Sequence, residues 1–119
     1  MKNNKIVCGL IRGRHDMPVA EYIFDEAIKD VHDYCGIRKH IQQYVLSHMN
    51  INITCGIPVN GIDDAYIYAG DTELIVYVTG LTPVTVELVK VCLFNGIPLT
   101  LMNYDISTCE YREQVVFCK

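Results

Sequence analysis

The chain has 119 residues, half of them apolar and a fifth charged, with a formal net charge of −4 and a pI near 5.4. That balance suits one globular domain, 1–119, long enough to bury roughly two-thirds of the surface of its extended chain. It excludes a general binder of long nucleic acid, which needs a basic face against the phosphate backbone, but not a small nucleotide held by a few local donors.

No apolar run approaches the roughly 20 residues that span a bilayer, so no membrane association is expected. The basic start leads into only about six apolar residues before Arg12, too short for a secretory signal core, and a cytoplasmic location is expected. Six cysteines, Cys8, Cys35, Cys55, Cys92, Cys109 and Cys118, are scattered with no Cys-x-x-Cys pair. Reduced thiols are the better reading than a disulfide framework, and the spacing does not suit zinc.

Residues 5–11, Lys-Ile-Val-Cys-Gly-Leu-Ile, are a short, almost wholly apolar run of the kind that forms a buried strand. Asp16 as a cap and Pro18 in the first turn then predict a helix carrying Tyr22, Ile23 and Ala27 inward. A second helix is predicted over 36–50, where Ile37, Ile41, Tyr44, Val45 and Met49 recur at three- and four-residue spacing. Residues 51–55 alternate like a strand, and 56–70 read as mostly loop with a short strand at 65–68.

The strongest signal spans residues 74–102. An apolar strand, 74–78, meets Thr79-Gly80-Leu81-Thr82-Pro83, then a helical run, then Ile97-Pro98-Leu99-Thr100-Leu101-Met102. This is a βαβ unit of the usual size, about 30 residues. Thr82 is the expected N-cap, and Pro83 the first helical residue. Val84, Leu88, Val91 and Cys92 form an apolar stripe that Val89 and Leu93 widen, and Asn95-Gly96 closes the helix. A turn over 106–110 and an antiparallel edge strand over 111–118 complete the chain. The expected fold is α/β, a small Rossmann-like sheet with a parallel core and a C-terminal antiparallel edge strand.

If the first strand lies parallel to 74–78, three polar segments leave the sheet at one edge. They are 12–16, 79–82 and 103–105, and open α/β sheets hold their ligands at that edge. Arg12, Arg14, His15, Thr79, Gly80, Leu81, Thr82, Asn103 and Asp105 are therefore the candidate ligand-binding residues. Two guanidiniums, an imidazole, two hydroxyls, a carboxamide, a carboxylate and the free amides of two helix N-termini suit a phosphate-bearing ligand with a hydroxyl-rich sugar. The glycine loop is neither a Walker loop nor Gly-x-Gly-x-x-Gly. No cofactor or metal is called for. Binding is expected rather than catalysis. An enzyme built on these residues would be a metal-independent phosphodiesterase using His15 and Arg14. Eight tyrosines, three phenylalanines and an edge strand predict a homo-oligomer, a dimer or higher. A non-enzymatic protein-interaction module is the remaining reading.

Arg12-Gly13-Arg14-His15-Asp16 and Thr79-Gly80-Leu81-Thr82 give the chain an organisation that resembles small single-domain relatives of the CRISPR-associated Rossmann fold. These include ring-nuclease-type proteins that bind or cleave cyclic oligonucleotides. The resemblance covers the two ends of the chain and not its middle. It implies a homodimer sharing a ligand across a two-fold axis in antiviral-defence signalling, as sensor, sponge or signal-degrading enzyme.

Overall fold

The computed structural model describes residues 5–13, 16–48, 57–59, 62–65, 72–78 and 80–118. The fold is α/β. A five-stranded sheet is built from β1 (Lys5–Ile11), β2 (Tyr22–Phe24), β5 (Glu73–Tyr77), β6 (Leu99–Asp105) and β7 (Glu110–Phe117) in the order β2-β1-β5-β6-β7. The first four strands run parallel, and β7 closes one edge antiparallel to β6. Helices α1 (Tyr34–His48) and α2 (Thr82–Asn95) pack against each other. Each forms a crossover running in the same direction along the sheet, so right-handedness places both on one face.

Alternation along β5 sets the two faces. Leu74, Val76 and Val78 are buried, and Ile75 and Tyr77 between them are half-buried. The core forms where the first set meets Ile37, Ile41 and Val45 of α1 and Val84, Leu88 and Val91 of α2. On the second face Tyr111 meets Tyr77 and Tyr104 edge-on, with ring centroids 4.7 and 5.2 Å away.

The βαβ unit forms as predicted, with β5 and β6 in parallel register from Leu74↔Leu99 to Tyr77↔Met102. Gly96 ends α2 in the left-handed region, with φ 67°. The cap of α2 differs from expectation. Leu81 is the N-cap residue and offers no side-chain hydrogen bond, and Thr82 is already helical.

The helix predicted from Asp16 does not form. Residues 22–24 are instead the strand β2, and Ala27 is exposed. The apparent helical spacing rested on three residues, whereas Tyr-Ile-Phe fits a pleated, half-buried surface. Gly9 of β1 makes the pairing possible. A Cβ there would run into the Tyr22 ring and come within 3 Å of the Met17 sulfur. The close approach of β2 therefore depends on the missing side chain.

α1 starts two residues earlier than predicted, because Asp33 caps it. The Asp33 carboxylate accepts from the Gly36 N–H at 3.2 Å, and its carbonyl accepts from the Ile37 N–H at 3.0 Å. Met49 and the predicted strand at 51–55 lie outside the described residues. Where loop was expected, β3 (Ile57–Val59) and β4 (Ile62–Ala65) pair antiparallel. Asn-Gly at 60–61, two residues between Val59 and Ile62, is a hairpin signature in the sequence that the density of turn residues and the two aspartates of β4 masked. Residues 66–68 of the predicted short strand lie outside the description.

Burial pushes the thiols of Cys8 and Cys92 up to about 12. Cys35, Cys109 and Cys118 are exposed. Iodoacetamide is therefore expected to label the last three in the native protein, and Cys8 and Cys92 only on unfolding. Peptide mass mapping of labelled protein checks this; native labelling of Cys92 would contradict the packing of α2.

Candidate functional site

The carboxyl ends of β1, β5 and β6 lie at one edge of the sheet. Gly9 pairs with Tyr77 and Tyr77 with Met102, but only β5 ends at this level. β1 runs on to Ile11 beside β2, and residues 103–105, expected to leave the sheet, continue β6 because β7 pairs with them as far as Asp105. The Arg12 N–H donates to the Phe24 carbonyl at 2.9 Å, and the Val78 N–H to the Met102 carbonyl at 3.1 Å. The chain leaves β1 towards β2 but leaves β5, through α2, towards β6. The direction of connection thus reverses between β1 and β5, a switch point of the kind at which open sheets form ligand crevices.

Gly80 stands at this point with φ 83°, a conformation that side chains strain to adopt. The N-terminus of α2 follows at once. Its first-turn amides have no side-chain cap and carry the positive end of the helix dipole. Beside it runs a groove of about 360 Å³ lined by Val78, Gly80, Thr82, Thr85, Val86, Val89, Lys90 and Asn103. Positions 82, 85, 86, 89 and 90 follow helical spacing, so one flank of α2 forms its wall. Thr85 Oγ1 donates to the Leu81 carbonyl at 3.2 Å, and Lys90 Nζ pairs with Glu87 at 3.2 Å across a half-exposed surface.

The described candidate residues divide among four places. Gly80, Thr82 and Asn103 line the groove, with the Asn103 amide donating to Gln114 Oε1 at 2.8 Å. Leu81 is half-buried against the core. Arg12 turns to the β2 side, where its Nη2 lies 3.1 Å from Asp25 and its guanidinium sits 4.7 Å over the Tyr22 ring. Asp105 lies at the β6–β7 turn, 2.6 Å from Arg112 Nε. Hydrogen bonds from Ser107 and then Arg112 hold its carboxyl down to about 2. Arg14, His15 and Thr79 fall outside the described residues. Lys90 and Thr85 were not foreseen. Helical spacing from Thr82 marks them, at i+3 and i+8, but only once the flank of α2 that faces the groove is known.

Among the described residues no group of three or more histidine, cysteine or acidic side chains could hold a metal ion. No described helix is long and apolar enough to cross a membrane. No protein-family model, curated protein or solved structure matches the chain.

Proposed function

We propose that the protein binds a small nucleotide-type ligand in the α2 groove, as a sensor or sponge in antiviral-defence signalling. One observation carries the ligand class: the groove joins an uncapped helix N-terminus at the sheet's switch point to an apolar wall ending in a lysine. In this reading a phosphate sits against the amides of Leu81, Thr82 and Val84 and the Thr82 hydroxyl, Pro83 having no N–H to offer. The base lies on Val86 and Val89, Asn103 meets a sugar hydroxyl or base edge, and Lys90 faces a second phosphate. The defence setting rests on the resemblance of 12–16 and 79–82 to CRISPR-associated Rossmann-fold proteins.

Binding without turnover is favoured because the groove's described lining holds no histidine, cysteine or carboxylate. Cleavage would fall to Arg14 and His15, as in a metal-independent phosphodiesterase. The eight-residue edge β7, with Val115 exposed, is the place for a second copy to add in a homo-oligomer.

Calorimetric titration with mononucleotides and cyclic di- and oligonucleotides tests the reading. At least one should saturate, and Lys90→Glu should weaken it by about tenfold or more, equivalent to roughly 1.4 kcal/mol. Chromatography should return that ligand intact. No saturable binding, or equal binding by Lys90→Glu, would sink the proposal, whereas product formation would replace sensor with enzyme.

A further inference from the structure

A second cleft, of about 500 Å³, opens at the other end of the strand order, between α1 and β2. α1 presents His40, Tyr44 and His48 along it at four-residue intervals, and Glu21 and Asp25 flank β2 opposite. The rings are fixed from within the chain. His40 stacks on Phe24 with centroids 4.2 Å apart, and Tyr44 stacks on His48 at 3.8 Å. The Tyr44 hydroxyl donates to Glu21 Oε1 at 2.7 Å, and His48 Nε2 lies 3.6 Å from the same oxygen.

This lining is rich in acceptors. His40 Nε2 is 2.6 Å from the Ile23 carbonyl, which can only accept. That nitrogen is therefore the donor in this contact. Glu21 and Asp25 are 47% and 72% exposed, and the contacts described use one oxygen of each, Oε1 and Oδ1. The cleft's described lining contains no lysine or arginine. An adjoining groove of about 530 Å³ shares Ile23, Asp25 and His40 and continues the acidic lining with Glu26, Asp30 and Asp33.

The charge of the whole chain points the same way. Residues 16–33 hold six carboxylates and a single base, Lys29, a net −5, while the remaining eight acids and nine bases come to +1. One cation already uses this chemistry. Arg12 reaches in from the end of β1 to pair with Asp25 and lie over Tyr22, two residues that line the cleft.

We propose that the α1–β2 cleft binds an elongated organic cation whose guanidinium or primary ammonium groups span Glu21 and Asp25, with its aliphatic part on the rings of Tyr44 and His48. The chemistry is common to an arginine side chain on a peptide and to a free diamine. The site is separate from the α2 groove and stands without the nucleotide reading.

The test is titration of the intact chain with agmatine and with a capped Arg-Gly-Arg peptide, followed by amide chemical shifts. Saturable binding is expected, with shifts confined to α1 and residues 20–30. The Glu21→Gln/Asp25→Asn double variant should lose about tenfold or more in affinity, while Leu93→Ala, at an exposed position of α2, should bind like the parent. Gln43→Arg, which places a cation in the cleft on an exposed helix position, should block binding independently, so a folding defect in the double variant leaves the question decidable. A peptide preferred tenfold over agmatine identifies a protein side chain as the source; equal affinity identifies a free amine. Failure of both probes to saturate, or unchanged binding in both cleft variants, overturns the proposal.

Discussion

Leu88→Ala is expected to cost about 3 kcal/mol of unfolding free energy, within the range for emptying a fully enclosed leucine site. Leu88 is 0% exposed and occupies the middle of the α2 stripe, in one cluster with Leu74 and Val76 of β5 and Leu99 of β6. A cavity there opens between helix and sheet at the centre of the βαβ unit, where neighbours on both sides are held by backbone pairing and cannot collapse inward. Leu93→Ala on the same helix is the control. Leu93 is 47% exposed, so its truncation should cost under about 1 kcal/mol. Urea unfolding checks both as a shift of midpoint at constant slope. Equal costs at the two positions would mean that α2 is rotated from the orientation described.

Arg38→Leu should be nearly as damaging, for an electrostatic reason. Glu87 of α2 is buried at 3% exposure, and its Oε1 makes no hydrogen bond. Arg38 of α1 faces that oxygen at 3.6 Å, and Lys90, itself 44% exposed, holds the other at 3.2 Å. Removing the Arg38 guanidinium leaves a carboxylate in a low-dielectric contact between helices with only a solvent-screened lysine beside it. The expected cost is about 3 kcal/mol. Removing both charges in Arg38→Leu/Glu87→Leu should restore stability to within about 1 kcal/mol of the parent, because desolvation and attraction disappear together. A double variant as unstable as Arg38→Leu alone would show that the arginine acts by filling space and not by charge.

The βαβ unit was legible in the sequence because its signals are local and agree. Apolar strands, a Pro-started helix with a single apolar stripe and a closing glycine all fall within 33 consecutive residues, from Glu73 to Asp105. β2 was not legible in this way. Its three residues are fixed by pairing with β1 across a ten-residue connection, and the one hint is Gly9, whose meaning emerges only with Tyr22 against it. The same error displaced Arg12. With a helix in place of β2, Arg12 was free to face the crevice; with Phe24 paired to Ile11, Asp25 comes within 3.1 Å and draws the guanidinium aside. The carboxyl edge itself was foreseeable, since it needs only parallel order. The flank of α2 that lines the groove depends on how far the helix is rotated over β6, and Thr82, Thr85 and Lys90 declare that only in three dimensions.

Two of the proposals seem opposed, since an acidic chain of net −4 is asked to hold an anion. The position of the acidic segment removes the conflict. Of its six carboxylates, Asp16 sits towards β7, where the Tyr111 hydroxyl reaches its carbonyl at 3.5 Å. The other five, from Glu21 to Asp33, lie along the β2 side, three strand spacings from β6 in the sheet order, roughly 14 Å. That exceeds the screening length of about 8 Å at physiological salt. An approaching anion near the groove therefore senses the nearly neutral remainder of the molecule, and a cation is steered to the opposite end. Lowering the ionic strength lengthens the reach of the acidic end, so it should slow the arrival of the anion and speed that of the cation.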